Sequence, residues 1–108
     1  MAGITPLTFD ILLALADEAR HGYGIIKEIE TRSGPGSAPS TGALYLALRR
    51  MQSDGLIEDA EADDREDARR KYYRLSVKGR DHAEAESMRL ATLVASAREK
   101  NLLHGGAT

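Results

Sequence analysis

One eight-residue segment separates two helical regions of the chain. Residues 33–40 read SGPGSAPS, and seven of the eight are glycine, proline or serine, which favour turns and interrupt helices. The segment lacks the spacing G-x-x-x-x-G-K-[ST] of a phosphate-binding loop, and no strand pattern precedes it. We therefore expect helices before this segment and a separate helix that begins where it ends.

Apolar spacing predicts two helices before the segment. The first covers about residues 6–18, with Thr5 as its N-cap and Pro6 at its first position. Its apolar side chains form a broad arc, which indicates burial on more than one side. The second helix covers about residues 23–31, with isoleucines inward and charged residues outward. Residues 19–22 are expected to form a short connection.

A third helix is predicted for residues 41–54. Ser40 is a favourable N-cap, and Gly55 is a favourable C-terminal stop. The spacing places one apolar stripe on this helix, formed by Leu44, Ala47, Leu48 and Met51. A neighbouring stripe carries groups that can hydrogen-bond to phosphates or base edges, namely Thr41, Tyr45, Arg49 and Gln52.

Two short strands are predicted after the third helix, at residues 56–59 and 71–76. In the second, Tyr73 and Leu75 alternate with Tyr72 and Arg74, which is typical of a half-exposed strand. The residues between the strands are polar and charged, so the pair is expected to form a hairpin.

The last predicted helix covers about residues 77–103, and its apolar stripe is unusually wide. At 100° per residue, two adjacent apolar sides together cover more than half of the circumference. A chain of 108 residues cannot cover such a stripe alone, so we expect a second copy to cover it in a two-fold dimer. The expected division is residues 1–76, the dimerisation helix 77–104 and a loose tail 105–108.

Charge is distributed unevenly along a chain whose formal net charge is −2. Residues 58–67 contain seven acidic side chains and one basic one, whereas residues 69–80 contain six basic side chains and no acidic one. Such a basic segment is typical of a nucleic-acid-binding surface, but a solvated strand beside a charged loop has the same composition. Charge alone leaves both interpretations open.

The sequence contains no pattern that indicates catalysis or a metal site. There is no cysteine, and His21, His82 and His104 do not have metal-ligand spacing. A G-x-S-x-G motif for a nucleophilic serine is also absent. The longest apolar run, residues 11–16, is far shorter than a membrane span. We expect a cytoplasmic protein that is not an enzyme and needs no metal or cofactor.

The order of predicted elements is that of a winged helix-turn-helix, in which the second helix of the motif enters the major groove of DNA. The fold is then mainly α-helical with a small β-hairpin. Three strings, HGYGIIKEIE at 21–30, STGALYLALRRMQSDGLIE at 40–58 and RKYYRLSVKGR at 70–80, resemble the PadR family of bacterial transcriptional regulators. The length is similar to that of the short subgroup with one C-terminal dimerisation helix.

This resemblance implies a homodimeric repressor that binds a pseudo-palindromic operator in double-stranded DNA and is released by a small hydrophobic effector. The implied DNA-binding residues lie on two helices and the wing: Tyr23, Lys27, Ser40, Thr41, Gly42, Tyr45, Arg49, Arg69, Arg70 and Lys71. The implied dimer contacts and effector pore comprise Phe9, Met88, Leu90, Ala91, Val94 and Ala95.

Several features depart from the family pattern and leave alternatives open. The hairpin tip at residues 63–67 is acidic and repels phosphate, and the last helix has no aromatic residue to stack on a flat effector. The alternatives are a winged-helix module that binds another protein, or a dimer that binds a ligand in its pore without binding DNA. Tyr45 has two interpretations of its own, DNA contact or packing against the wing.

Overall fold

Four helices and a three-stranded antiparallel sheet form the part of the chain that the computed structural model describes, residues 4–61 and 70–104. The mainly helical winged-helix prediction is therefore confirmed. The elements are α1 (Pro6–Ala14), β1 (Arg20–His21), α2 (Gly22–Ser33), α3 (Thr41–Ser53), β2 (Ile57–Ala60), β3 (Tyr72–Leu75) and α4 (Val77–Glu99).

Hydroxyl N-caps begin two of the helices where the sequence predicts. The backbone N–H of Thr8 donates to Thr5 Oγ1 at 3.1 Å, and that of Ala43 donates to Ser40 Oγ at 3.1 Å. The predicted end of the first helix is wrong, since α1 stops at Ala14 rather than near residue 18. The Arg20 guanidinium donates to the Ala14 carbonyl at 2.7 Å, which satisfies an end group that a longer helix would satisfy internally.

The sheet has one strand more than the sequence predicts. Strand β1, expected to be a connection, pairs with β3, so the strand order is β1-β3-β2. Strand β3 is the central strand, and Tyr72 and Tyr73, whose side chains point to opposite faces of the sheet, are both buried. The predicted alternation between an exposed Tyr72 and a buried Tyr73 is therefore wrong.

The hydrophobic core lies between α1, α2, α3 and the sheet. The completely buried large side chains come from the three helices: Ile11, Leu12, Ile25, Ile29, Leu44, Leu48 and Met51. Burial of each such side chain contributes roughly 1.5–3 kcal/mol to folding. Because α3 supplies three of these residues from one side, its opposite side is fixed facing outward.

Helix α4 is long, and none of the described residues covers most of its C-terminal half. Residues 91–96 are exposed, and Met88 is 72% exposed. The helix ends at Glu99 rather than near residue 103, because Asn101 adopts a left-handed φ of 63°. The Leu102 N–H then donates to the Ala97 carbonyl at 2.8 Å, which closes a Schellman cap.

Candidate nucleic-acid interface

The outward side of α3 presents a contiguous polar surface. Four exposed residues lie on it, and we call them the α3 face: Thr41, Gly42, Tyr45 and Arg49. A Cβ added at Gly42 would meet no described atom within 4 Å, so another molecule can approach the helix backbone closely there. Ser40 directs its hydroxyl to the helix end and caps it. The side chains of the α3 face are held outward by the packed side of the same helix.

Gln52 was predicted on the same stripe but has a different role. Its side-chain amide donates to Asp59 Oδ1 on β2 at 2.8 Å. That hydrogen bond ties the last turn of α3 to the wing, which we define as β2, β3 and the residues between them. Gln52 is therefore not part of the α3 face.

A second polar group lies at the start of α2, around the exposed Tyr23 ring. The Lys27 ammonium is 5.4 Å from the ring centroid, and the guanidinium carbon of Arg70 is 5.6 Å from it. Both distances are those of cation–π contacts. The interaction with Tyr23, followed by that with Glu30, raises the pKa of Lys27 above its ordinary value, which keeps the ammonium charged. We call Tyr23, Lys27 and Arg70 the Tyr23 cluster.

His21 organises this cluster, although the sequence predicted only a short connection there. The Gly24 N–H donates to His21 Nδ1 at 3.0 Å, so the imidazole is the N-cap of α2. Arg70 Nη1 lies 3.3 Å from Nε2 of the same ring. The ring also packs edge-to-face against Tyr72, with ring centroids 5.1 Å apart. Histidine is not among the usual N-cap residues, so no local pattern in the sequence predicts this cap.

The basic residues of the wing divide between two surroundings. Arg70 joins the Tyr23 cluster, whereas Lys71 Nζ lies 3.6 Å from Asp59 Oδ1 on β2. The Lys71 pair is exposed and adds little to stability. Arg69 and the acidic residues predicted at the hairpin tip lie outside the described residues.

The residues predicted for the dimer and effector pore are only partly brought together. Met88, Ala91, Val94 and Ala95 follow one another along exposed α4, and Leu90 and Phe9 are half-buried. A separate open groove of about 1200 Å³ runs between α1, α3 and α4. Its described lining includes Leu7, Leu46, Leu56 and Arg89 but none of the six predicted residues.

One buried acid lies beside that groove. Glu86 on α4 is 8% exposed and accepts two hydrogen bonds from Arg89, at 2.8 and 2.5 Å. These hydrogen bonds hold the pKa of Glu86 below its ordinary value of 4.5. Among residues 4–61 and 70–104, no group of histidine, aspartate and glutamate side chains could hold a metal ion. Within those same residues, no helix is long and apolar enough to cross a membrane.

An exposed polar recognition helix, a supporting helix and an adjacent wing define the class of winged-helix DNA-binding proteins. The model of the transcriptional regulator PadR-like family matches residues 11–85, and the chain belongs to this family. It is a family of transcriptional regulators rather than of enzymes.

Comparisons with individual proteins agree with this assignment. A PadR family transcription regulator from Clostridium difficile has a TM-score of 0.74 and 26% identity, over 88% of this chain and 97% of its own. Bacillus subtilis PadR in complex with operator DNA has a similar fold, with a TM-score of 0.64 and 20% identity over 75% of this chain and 46% of its own.

A relative among curated sequences is an uncharacterised 37.1 kDa protein in transposon TN4556 of Streptomyces fradiae. It is 37% identical over 83 residues, which are 77% of this chain and 22% of that protein. The chain thus matches only about a fifth of the length of this relative.

Proposed function

We propose that the protein is a homodimeric repressor that places the α3 face in the major groove of a pseudo-palindromic operator. The observation that carries this proposal is the division of α3 into two sides. Leu44, Leu48 and Met51 lock one side into the core, so Thr41 and Arg49 project together from the other. Arginine and threonine are side chains that hydrogen-bond to base edges.

The Tyr23 cluster supplies backbone contacts in this proposal. Lys27 and Arg70 place two cations at the beginning of α2, where the N–H groups of the helix also favour an anion. Contacts of this kind add affinity for any DNA sequence and fix the orientation of the protein. Lys71 and Arg69 are the remaining proposed wing contacts, with Lys71 exchanging Asp59 for a phosphate.

Two copies of α4 are proposed to form the dimer. The exposed stripe of Met88, Ala91, Val94 and Ala95 is the apolar surface that a partner would cover. Residues 77–104 would then be the dimerisation segment, and residues 1–76 the DNA-binding part. A two-fold dimer presents two α3 helices, which suits an operator with two-fold symmetry.

Release by an effector is the remaining part of the proposal. Phe9 and Leu90 are half-buried. In this proposal a small hydrophobic molecule would bind among aliphatic and phenyl side chains between the two protomers. Binding there would act on DNA affinity only if the effector prefers one arrangement of the two α3 helices.

The direct test is a mobility-shift titration at several salt concentrations. One duplex comes from upstream of the protein's own gene, and a random duplex of the same length is the comparison. We expect the first duplex to bind on the order of 1,000-fold more tightly than the random one. The logarithm of its affinity should fall linearly with the logarithm of the salt concentration. Equal affinity or no binding would contradict the proposal. A folded dimer with that result would favour the protein-binding or ligand-binding alternative.

A further inference from the structure

The phenol of Tyr45 occupies the space above Gly22 that any other residue would fill. A Cβ added at Gly22 would lie 2.3 Å from Tyr45 Oη and 2.7 Å from its Cζ. Carbon atoms in contact normally lie about 3.5–4.0 Å apart. The end of the Tyr45 side chain therefore lies closer to the first residue of α2 than a side chain at Gly22 would allow without moving it.

Backbone conformation gives no separate reason for glycine at this position. Gly34, Gly36 and Gly55 have φ angles of 95°, 83° and 78°, which only glycine adopts readily. Gly22 instead lies within α2 and has no such angle. The requirement at Gly22 is therefore one of space, and the atoms that need the space belong to Tyr45.

Tyr45 also lies near the wing. Tyr73 on β3 is buried, which raises the pKa of its phenol, and the neighbouring Tyr45 and then Asp59 raise that pKa further. Tyr73 pairs across the sheet with Arg20, two residues before Gly22. The ring of Tyr45 thus lies where the recognition helix, the start of the supporting helix and the central strand of the wing meet.

We infer that Tyr45 is a positioning residue, seated on Gly22, that fixes the orientation of the α3 face relative to α2 and the wing. This inference rests on the proposed function, because orientation matters only if the α3 face binds DNA. It assigns Tyr45 a role through shape, whereas Thr41 and Arg49 contact the bases. The Oη and Cζ atoms at the end of the phenol fill the seat, so the hydroxyl need not touch DNA.

Gly22→Ala and Gly24→Ala form a matched pair of tests. Both add one methyl group in the first turn of α2, but a Cβ at Gly24 would have its nearest contact at 3.5 Å, which is ordinary packing. We expect Gly22→Ala to weaken binding to a duplex selected from a random pool by on the order of tenfold, because Tyr45 must move. Gly24→Ala should stay within about twofold of the parent. Parent-like binding by Gly22→Ala would overturn the inference.

A double variant tests whether Gly22 acts through Tyr45. Tyr45→Ala should weaken binding to a similar extent, and adding Gly22→Ala to it should cause no further loss, because the added methyl group then enters empty space. Tyr45→Phe should lose much less affinity than Tyr45→Ala, since the Cζ end of the ring still fills most of the seat. Additive losses in the double variant, or a Tyr45→Phe loss as large as that of Tyr45→Ala, would overturn the inference.

Folding and DNA binding can be separated from this role. If Gly22→Ala alone fails to fold, the double variant should fold, because the clash has gone, and two unfolded variants would contradict the inference. Arg49→Ala distinguishes the proposed DNA-binding function from the positioning role of Tyr45. If Arg49→Ala binds the selected duplex like the parent, the proposed function fails. If it loses affinity while the Gly22 and Tyr45 effects are additive, only the positioning role fails.

Discussion

Arg49 has one proposed role, which is to reach a base edge from the α3 face. Arg49→Ala should therefore weaken binding to the selected duplex by about 1–3 kcal/mol and change binding to random DNA much less. The thermal unfolding temperature should stay near that of the parent, since Arg49 is exposed. Arg50→Ala removes the same charge from the next position, which lines the α1–α3–α4 groove, and is the matched control. Equal losses from both variants would indicate general electrostatics rather than base contact.

Arg70 should act on DNA without regard to sequence. Arg70→Ala is expected to lower affinity for selected and random duplexes alike. Each phosphate contact contributes about 0.9 to the slope of log affinity against log salt, so a dimer should lose up to about 2 units of slope. Lys71→Ala should flatten the slope less, because Lys71 must first leave Asp59. An unchanged slope in both variants would make the wing a structural hairpin rather than a DNA contact.

Glu86 should make the stability of the protein depend on pH in the acidic range. The Arg89 hydrogen bonds hold its pKa in the folded protein below 4.5, so the ionised carboxylate stabilises folding above that value. This stability is lost as the pH falls through the lowered pKa. Glu86→Gln should therefore show a shallower loss of unfolding free energy as the pH falls below about 5. Glu84→Gln, at an exposed position on α4, should keep the parent's dependence.

At the scale of elements, the first turn of α4 packs closely against the connection between α3 and the wing. A Cβ added at Gly79 in α4 would lie 2.0 Å from the Leu56 carbonyl oxygen, which is backbone and cannot rotate away. Gly79→Ala should cost about 1–3 kcal/mol of unfolding free energy, measured by denaturant titration. Gly42→Ala, also within a helix but in open space, should instead stabilise the fold by up to about 1 kcal/mol. A neutral Gly79→Ala would contradict the close approach.

The beginnings of helices were predictable from sequence because N-caps are local. Thr5 and Ser40 lie directly before the residues whose N–H groups they accept. Strand β1 was not predictable in this way, because its two residues form a strand only by pairing with β3, about 50 positions later. The end of α4 was missed because Asn101 adopts the left-handed conformation more readily than most residues, but less often than glycine.

In the candidate site, local helical spacing was again predictable, whereas contacts between separate elements were not. Helical spacing alone placed Thr41, Tyr45 and Arg49 on one side of α3, and the structure has them exposed there. The seat of Tyr45 on Gly22 was not predictable, because it joins residues from two different helices. Likewise, spacing placed Gln52 on the polar stripe of α3. Its side chain instead donates a hydrogen bond to Asp59, which only the folded wing brings within reach.

At the scale of the whole molecule, the proposed dimer depends on the exposed stripe of α4. Met88→Asp combined with Val94→Asp should give a folded monomer in sedimentation experiments, because charges would have to be buried at the interface. Specific DNA affinity should fall with dimerisation, since one α3 helix then binds alone. Ser96→Asp adds a charge on another side of α4 and should remain dimeric. A parent protein that sediments as a stable monomer would contradict the dimer itself.

A hydroxyl-radical footprint of the parent protein on its selected duplex tests the α3 face and the dimer together. Two recognition helices related by a two-fold axis should protect two half-sites, separated by about one helical turn of 10–10.5 base pairs or a whole multiple of it. The protected sequences should be inverted repeats of each other, and protection should disappear in Arg49→Ala at the same protein concentration. Uniform weak protection along the duplex, or a single site without symmetry, would contradict a dimer that reads DNA through α3.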